Sequence, residues 1–117
     1  MIFEISYSEI KLKTKEKAMS ENIYTIAVLE AKEGKLGDLK DCLARLASET
    51  RKETGAKEYF FIQDQNFNAN TIVSYERWEN ADEESAHWET SHLKNAIEEM
   101  KGILVGKPQV HRGYKII

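Results

Sequence analysis

At 117 residues, 41% hydrophobic and 32% charged, the chain has the length of one domain and the composition of a folded globule, not of a disordered or membrane protein. Its longest apolar run, Tyr59-Phe60-Phe61-Ile62, is about four residues and far too short to span a bilayer. The 17 basic and 20 acidic residues leave a formal charge of −3 with no basic cluster, which argues against nucleic-acid binding, where affinity comes from massed Lys and Arg. A single cysteine, Cys42, excludes an internal disulfide and a multi-cysteine zinc site and suits a reducing compartment. With no apolar signal segment either, the cytoplasm is the expected location.

Residues 1–20 stand apart. Phe3, Ile5 and Tyr7 alternate as a short strand does, and lysines then occupy every second position from Lys11 to Lys17. Met19 precedes the first strong core pattern, so this stretch reads either as an appendage from an upstream start or as an added edge strand or arm. The domain proper is expected over residues 21–117.

Ile23-Tyr24-Thr25-Ile26-Ala27-Val28-Leu29 is rich in β-branched residues and predicts a buried strand. A turn at Gly34 follows. Leu36, Leu39, Leu43, Leu46 and Thr50, spaced by three and four, predict an amphipathic helix that stops near Thr54-Gly55. A second strand is expected over residues 58–65, a polar hairpin loop over 64–70, and a third strand over 71–78. Asn80 is a good N-cap, and Asp82, Glu83 and Glu84 crowd a first helical turn, where the helix dipole favours negative charge. That helix runs to Thr90. Ser91 either caps a second segment over 92–100 or sits within one bent helix. A last strand is expected over residues 109–117.

The order β-α-β-β-α-β is that of a ferredoxin-like α+β domain, four antiparallel strands with helices on one face. The first two strands are apolar on both faces, with Phe60 and Ile62 pointing one way and Tyr59 and Phe61 the other. A sheet wetted on its second face would alternate apolar with polar. A homodimer with sheets face to face is therefore expected.

Several pieces, in this order and spacing, resemble the antibiotic biosynthesis monooxygenase (ABM) family of the dimeric α+β barrel superfamily. They are Ala31-Lys32-Glu33-Gly34-Lys35, Thr50-Arg51-Lys52-Glu53-Thr54-Gly55-Ala56, Tyr75-Glu76-Arg77-Trp78, His87, and Thr90-Ser91-His92-Leu93. The resemblance covers residues 23–114; the first twenty have no counterpart. It implies a small monooxygenase that oxidises an electron-rich phenol or quinol with molecular oxygen and needs neither metal nor flavin. The family's haem-degrading branch uses an Asn, a Trp and a His; the matching positions here hold Ala27, His87 and Ile97, so haem degradation is disfavoured.

His87 is the first candidate for catalysis, because a neutral imidazole can take a phenolic proton. The bland alternative is a histidine on the helix surface or in a dimer seam. His92 is the second candidate, or else ties the helix bend to a backbone group. Five residues on a continuous helix turn through roughly 140°, so the two would not share a face. With His111 on the last strand, no metal-binding group is expected. Tyr75, Trp78, Trp88, Tyr59 and Phe61 are candidate substrate contacts, the two tryptophans as stacking platforms and otherwise as core. Glu76, acidic within a strand, is expected to pair with Arg112 or Arg77; the alternative is a hydrogen-bonding group at the pocket or dimer seam. Cys42 reads as a small core residue. Two other functions stay open: a non-oxidative isomerase or lyase acting on a small metabolite, phosphorylated or not, through Arg77 or Arg112, and a ligand-binding dimer without turnover.

Overall fold

The computed structural model describes residues 21–66 and 69–117. The expectations for residues 1–20 and for the tip of the hairpin loop lie outside the described residues. Four strands, β1 (Ile23–Glu30), β2 (Ala56–Gln63), β3 (Thr71–Trp78) and β4 (Gln109–Gly113), form one antiparallel sheet in the order β2-β3-β1-β4. Three helices, α1 (Leu36–Thr50), α2 (Ala81–Trp88) and α3 (Ser91–Met100), complete the element order β-α-β-β-α-α-β. This is the ferredoxin-like α+β arrangement expected from the sequence, with the second helix divided in two.

Burial follows the two periodicities. On α1 the buried residues are Leu39, Cys42, Leu43, Leu46, Ala47 and Thr50, the stripe read from the leucine spacing. On β3 every second residue, Ile72, Ser74, Glu76 and Trp78, is buried beneath the helices. The main core joins Leu29, Leu39, Leu43, Leu46, Ile72, Leu93 and Met100, and a second cluster joins Ile23, Ala47, Tyr59 and Trp78.

Boundaries moved where tertiary contacts override local pattern. α1 ends at Thr50, not near Gly55; residues 51–53 continue as tight turns closed by Lys52 N–H to Glu49 O and Glu53 N–H to Thr50 O. β2 starts and stops two residues earlier than expected, and β4 ends at Gly113. Asn80 caps α2 as predicted, its side-chain oxygen accepting from Glu83 N–H at 2.9 Å. The break after α2 is made by Thr90, not Ser91: its hydroxyl donates to His87 O at 2.7 Å and accepts from Leu93 N–H at 3.3 Å. One hydroxyl thus closes one helix and caps the next.

Gly55 lies where the start of β2 crosses the first turn of α2. A Cβ built there would sit 2.3 Å from Cβ of Glu83, while one at Gly37 meets nothing within 4 Å. Gly55→Ala should therefore cost about 1–3 kcal/mol through overpacking, and Gly37→Ala, inside α1, should add roughly 0.5–1 kcal/mol. Thermal melts of the two variants check the pair; equal melting temperatures would contradict the packing described.

Candidate active site

Three elements converge at the end of α1. The turns after Thr50 bring Glu53 beneath the junction of α2 and α3, where its Oε2 accepts Nδ1–H of His87 and Nε2–H of His92, both at 2.7 Å. A carboxylate only accepts, so each of these ring nitrogens carries the proton. The two histidines were not expected to share a face. They meet because the helix is broken at Thr90, which turns α3 back so that the rings lie 6.1 Å apart. His92 thus ties the bend to a carboxylate, not to a backbone group.

His87 is 2% exposed. Its ring packs 4.6 Å from that of Trp78 and 5.5 Å from that of Tyr59. Burial lowers its pKa from the ordinary histidine value, while the hydrogen bond and charge of Glu53 pull the other way. The imidazole is therefore neutral near pH 7, its Nδ1–H held by Glu53 and Nε2 left as the lone-pair site.

Between helices and sheet lies a cavity of about 670 Å³. Its sheet side is Ala27, Leu29, Tyr59, Phe61, Ser74 and Glu76; its helix side is Leu43, Leu46, His87, Trp88, Leu93, Ile97 and Met100. A mostly apolar pocket with few convergent polar groups is the usual form of a small-molecule site.

Glu76 is the acidic group of that lining. It does not make the expected ion pair: Arg77 pairs with Glu58 on the opposite sheet face at 2.6 Å, and Arg112 reaches Glu84 at 3.3 Å. Instead Ser74 Oγ–H donates to Glu76 Oε2 at 2.8 Å and Trp78 Nε1–H to Oε1 at 3.1 Å. Ser74 is itself fixed by Ala27 N–H at 2.8 Å. Burial raises the Glu76 pKa to about 7, and these two donors only partly offset it. The signal in sequence is an acid in mid-strand between apolar neighbours; alternation does not show which face lies inside, and of the two expected roles the hydrogen-bonding one holds while the ion pair is not made.

Of the sequence candidates, His87, Trp88, Tyr59 and Phe61 line the cavity. His92 stands behind His87, joined to it through Glu53. Trp78, 0% exposed, lies under His87 and holds Glu76; it offers no open face for stacking. Tyr75 is on the opposite sheet face, stacked on Phe60 at 5.0 Å, because residues one apart on a strand point to opposite sides. Neither Arg77 nor Arg112 lines the cavity. Glu53 was missed, since only the fold brings it to the two histidines. Cys42 is a core residue, its thiol pushed up to about 11 by burial and the nearby Glu99.

Two imidazoles and a carboxylate are also a donor set that divalent cations favour. The ligand atoms of Glu53, His87 and His92 lie within 4.8 Å of one another, contrary to the expectation that no such group exists. Both nitrogens, however, already meet one oxygen at hydrogen-bond length, so a cation would have to displace both protons. The geometry is that of a hydrogen-bonded clamp.

A search of curated protein sequences finds no match. Among solved structures, PA3566 from Pseudomonas aeruginosa is similar, at TM-score 0.77 and 22% identity over 85% of this chain and 98% of that one. So is Rv0793 from Mycobacterium tuberculosis, at TM-score 0.77 and 18% identity over 83% and 97%. A conserved protein from Methanosarcina mazei Go1 gives 0.78 and 20% identity over 87% and 99%. At these identities the likeness is one of fold. The family model described as antibiotic biosynthesis monooxygenase matches residues 22–99, two thirds of the sequence and all of the elements that build the cavity except β4. The chain belongs to the antibiotic biosynthesis monooxygenase family.

Proposed function

We propose that the protein is a monooxygenase that oxidises a small aromatic, quinol-like substrate with molecular oxygen, drawing all electrons from the substrate. The observation that carries this reading is an apolar cavity whose wall holds a neutral histidine and a carboxyl group with oppositely shifted pKa values. Such divergence is how a site keeps a base and an acid ready at one pH.

A hydroquinone plus O2 gives a hydroxyquinone plus water, which balances without an external reductant. Nε2 of His87 takes the phenolic proton, and Glu53 steadies the imidazolium formed, as a carboxylate does behind a catalytic histidine. The phenolate passes an electron to oxygen, and the resulting radical pair joins at ring carbon. Glu76, in its acid form, protonates the oxygen that leaves as water. Trp88, Tyr59 and Phe61 contact the ring.

Sheet pairing into a homodimer fits the same reading. The face away from the helices exposes Ile26, Phe60 and Ile62 at 40%, 39% and 53%. Covering that face with a second copy would bury these side chains, each worth about 1.5–3 kcal/mol when fully removed from water. Phe60→Glu with Ile62→Glu should turn a dimer into a monomer in analytical ultracentrifugation; an unchanged dimer would place the interface elsewhere.

Oxygen uptake with a panel of hydroquinones, corrected for autoxidation, tests the chemistry. His87→Ala should lower kcat/KM by about 10²–10⁴. The profile of kcat/KM should fall as pH rises through about 7, where Glu76 loses its proton, and Glu76→Gln should remove that limb. No uptake with any member, or full activity in His87→Ala, would overturn the proposal.

A further inference from the structure

The charged groups lining the cavity are unevenly distributed. Lys32, Lys101 and Lys107 all line it and all are exposed, whereas Glu76 is the sole acid of the lining and lies buried at the sheet. The chain as a whole has more acids than bases, 20 against 17, so a lining with three lysines and one acid runs against its average. Glu76 has its pKa near 7 and carries only part of a charge at neutral pH.

The segments that carry the three lysines are joined by backbone pairing. Lys32 N–H donates to Ile103 O at 2.8 Å, and Val105 N–H donates to Glu30 O at 2.9 Å. Ala31 and Leu104 form a bridge between them. This fixes the end of β1 against the chain that follows α3, with Lys101 before the junction and Lys107 after it. Lys101 pairs with Glu98 at 2.7 Å, while Lys32 and Lys107 make no ion pair among the described residues. Two exposed ammonium groups without an acidic partner among the described residues, both lining an apolar pocket, attract an anion.

Resting on the cavity reading above, we infer that the substrate is an aromatic compound with an acidic substituent. The ring enters the apolar part beside His87 and Glu76, and the anionic group stays at Lys32 and Lys107. Carboxylate and phosphate share the chemistry that lysine recognises, as a charge without fixed geometry.

Calorimetric titration with 2-naphthol, 6-hydroxy-2-naphthoate and 2-naphthyl phosphate needs no turnover and separates the ring from the charge. At low salt both anions should bind about tenfold more tightly than 2-naphthol, the sum of two or three exposed charge pairs; the tighter anion identifies the preferred group. The difference should shrink in about 0.5 M salt, where screening acts over roughly 4 Å. Lys32→Glu with Lys107→Glu should abolish it, with a melting temperature matching the wild type showing that the fold is kept. Equal affinity for all three compounds, or a preference that survives the double reversal, would refute the anion site while leaving the ring pocket standing. Binding of none would refute both.

Discussion

One carboxylate oxygen accepting two imidazole N–H groups holds the functional half of this protein together. Glu53 Oε2 joins the chain after α1 to both halves of the broken helix. Among the described residues, it is the polar tie that joins α2 and α3 to the end of α1 at the point where they bend. The clamp also determines which nitrogen of His87 is free. It stands beside a second device, the Thr90 hydroxyl that ends one helix and begins the next.

Buried carboxyl groups are otherwise costly, and the structure treats the two among the described residues, Glu84 and Glu76, differently. The half-buried Glu53 accepts from two imidazoles. Glu84 accepts from Trp88 at 2.7 Å, Thr25 at 3.1 Å and Arg112 at 3.3 Å, with the Arg112 guanidinium also lying over the Trp88 ring. Glu76 has two neutral donors and no cation in contact. Desolvation without a paired charge pushes a carboxyl group toward its neutral form. The carboxyl facing the cavity is thus pushed toward its neutral form, while Glu84 holds Trp88 and β4.

The same division between covered and uncovered surface runs through the sheet. Helices cover one face, where Ala27 and Ser74 are too small to fill the space under them and a cavity results. On the other face Phe60, Tyr75 and Tyr24 pack on one another but stay partly open to solvent. An apolar face of this kind is what a second copy would cover.

Periodicity was enough to read the sequence of elements along the chain, the buried stripe of α1, the cap at Asn80 and the two-faced apolar character of β2, because each depends on residues near one another in sequence. The segment 51–53 was read as helix because its composition permits one, and only packing against α2 turned it into the turns that deliver Glu53. Tyr75 looked like a pocket residue until the face of β3 that carries Ser74 and Glu76 proved to be the one under the helices; alternation defines two faces and does not say which is inside. The meeting of Glu53 with His87 and His92, 34 and 39 residues away, was invisible for the same reason. Local pattern specifies which elements form and which sides are apolar; which distant polar groups share one oxygen is decided when helices and sheet close around a common interior and buried donors are left only the acceptors within reach.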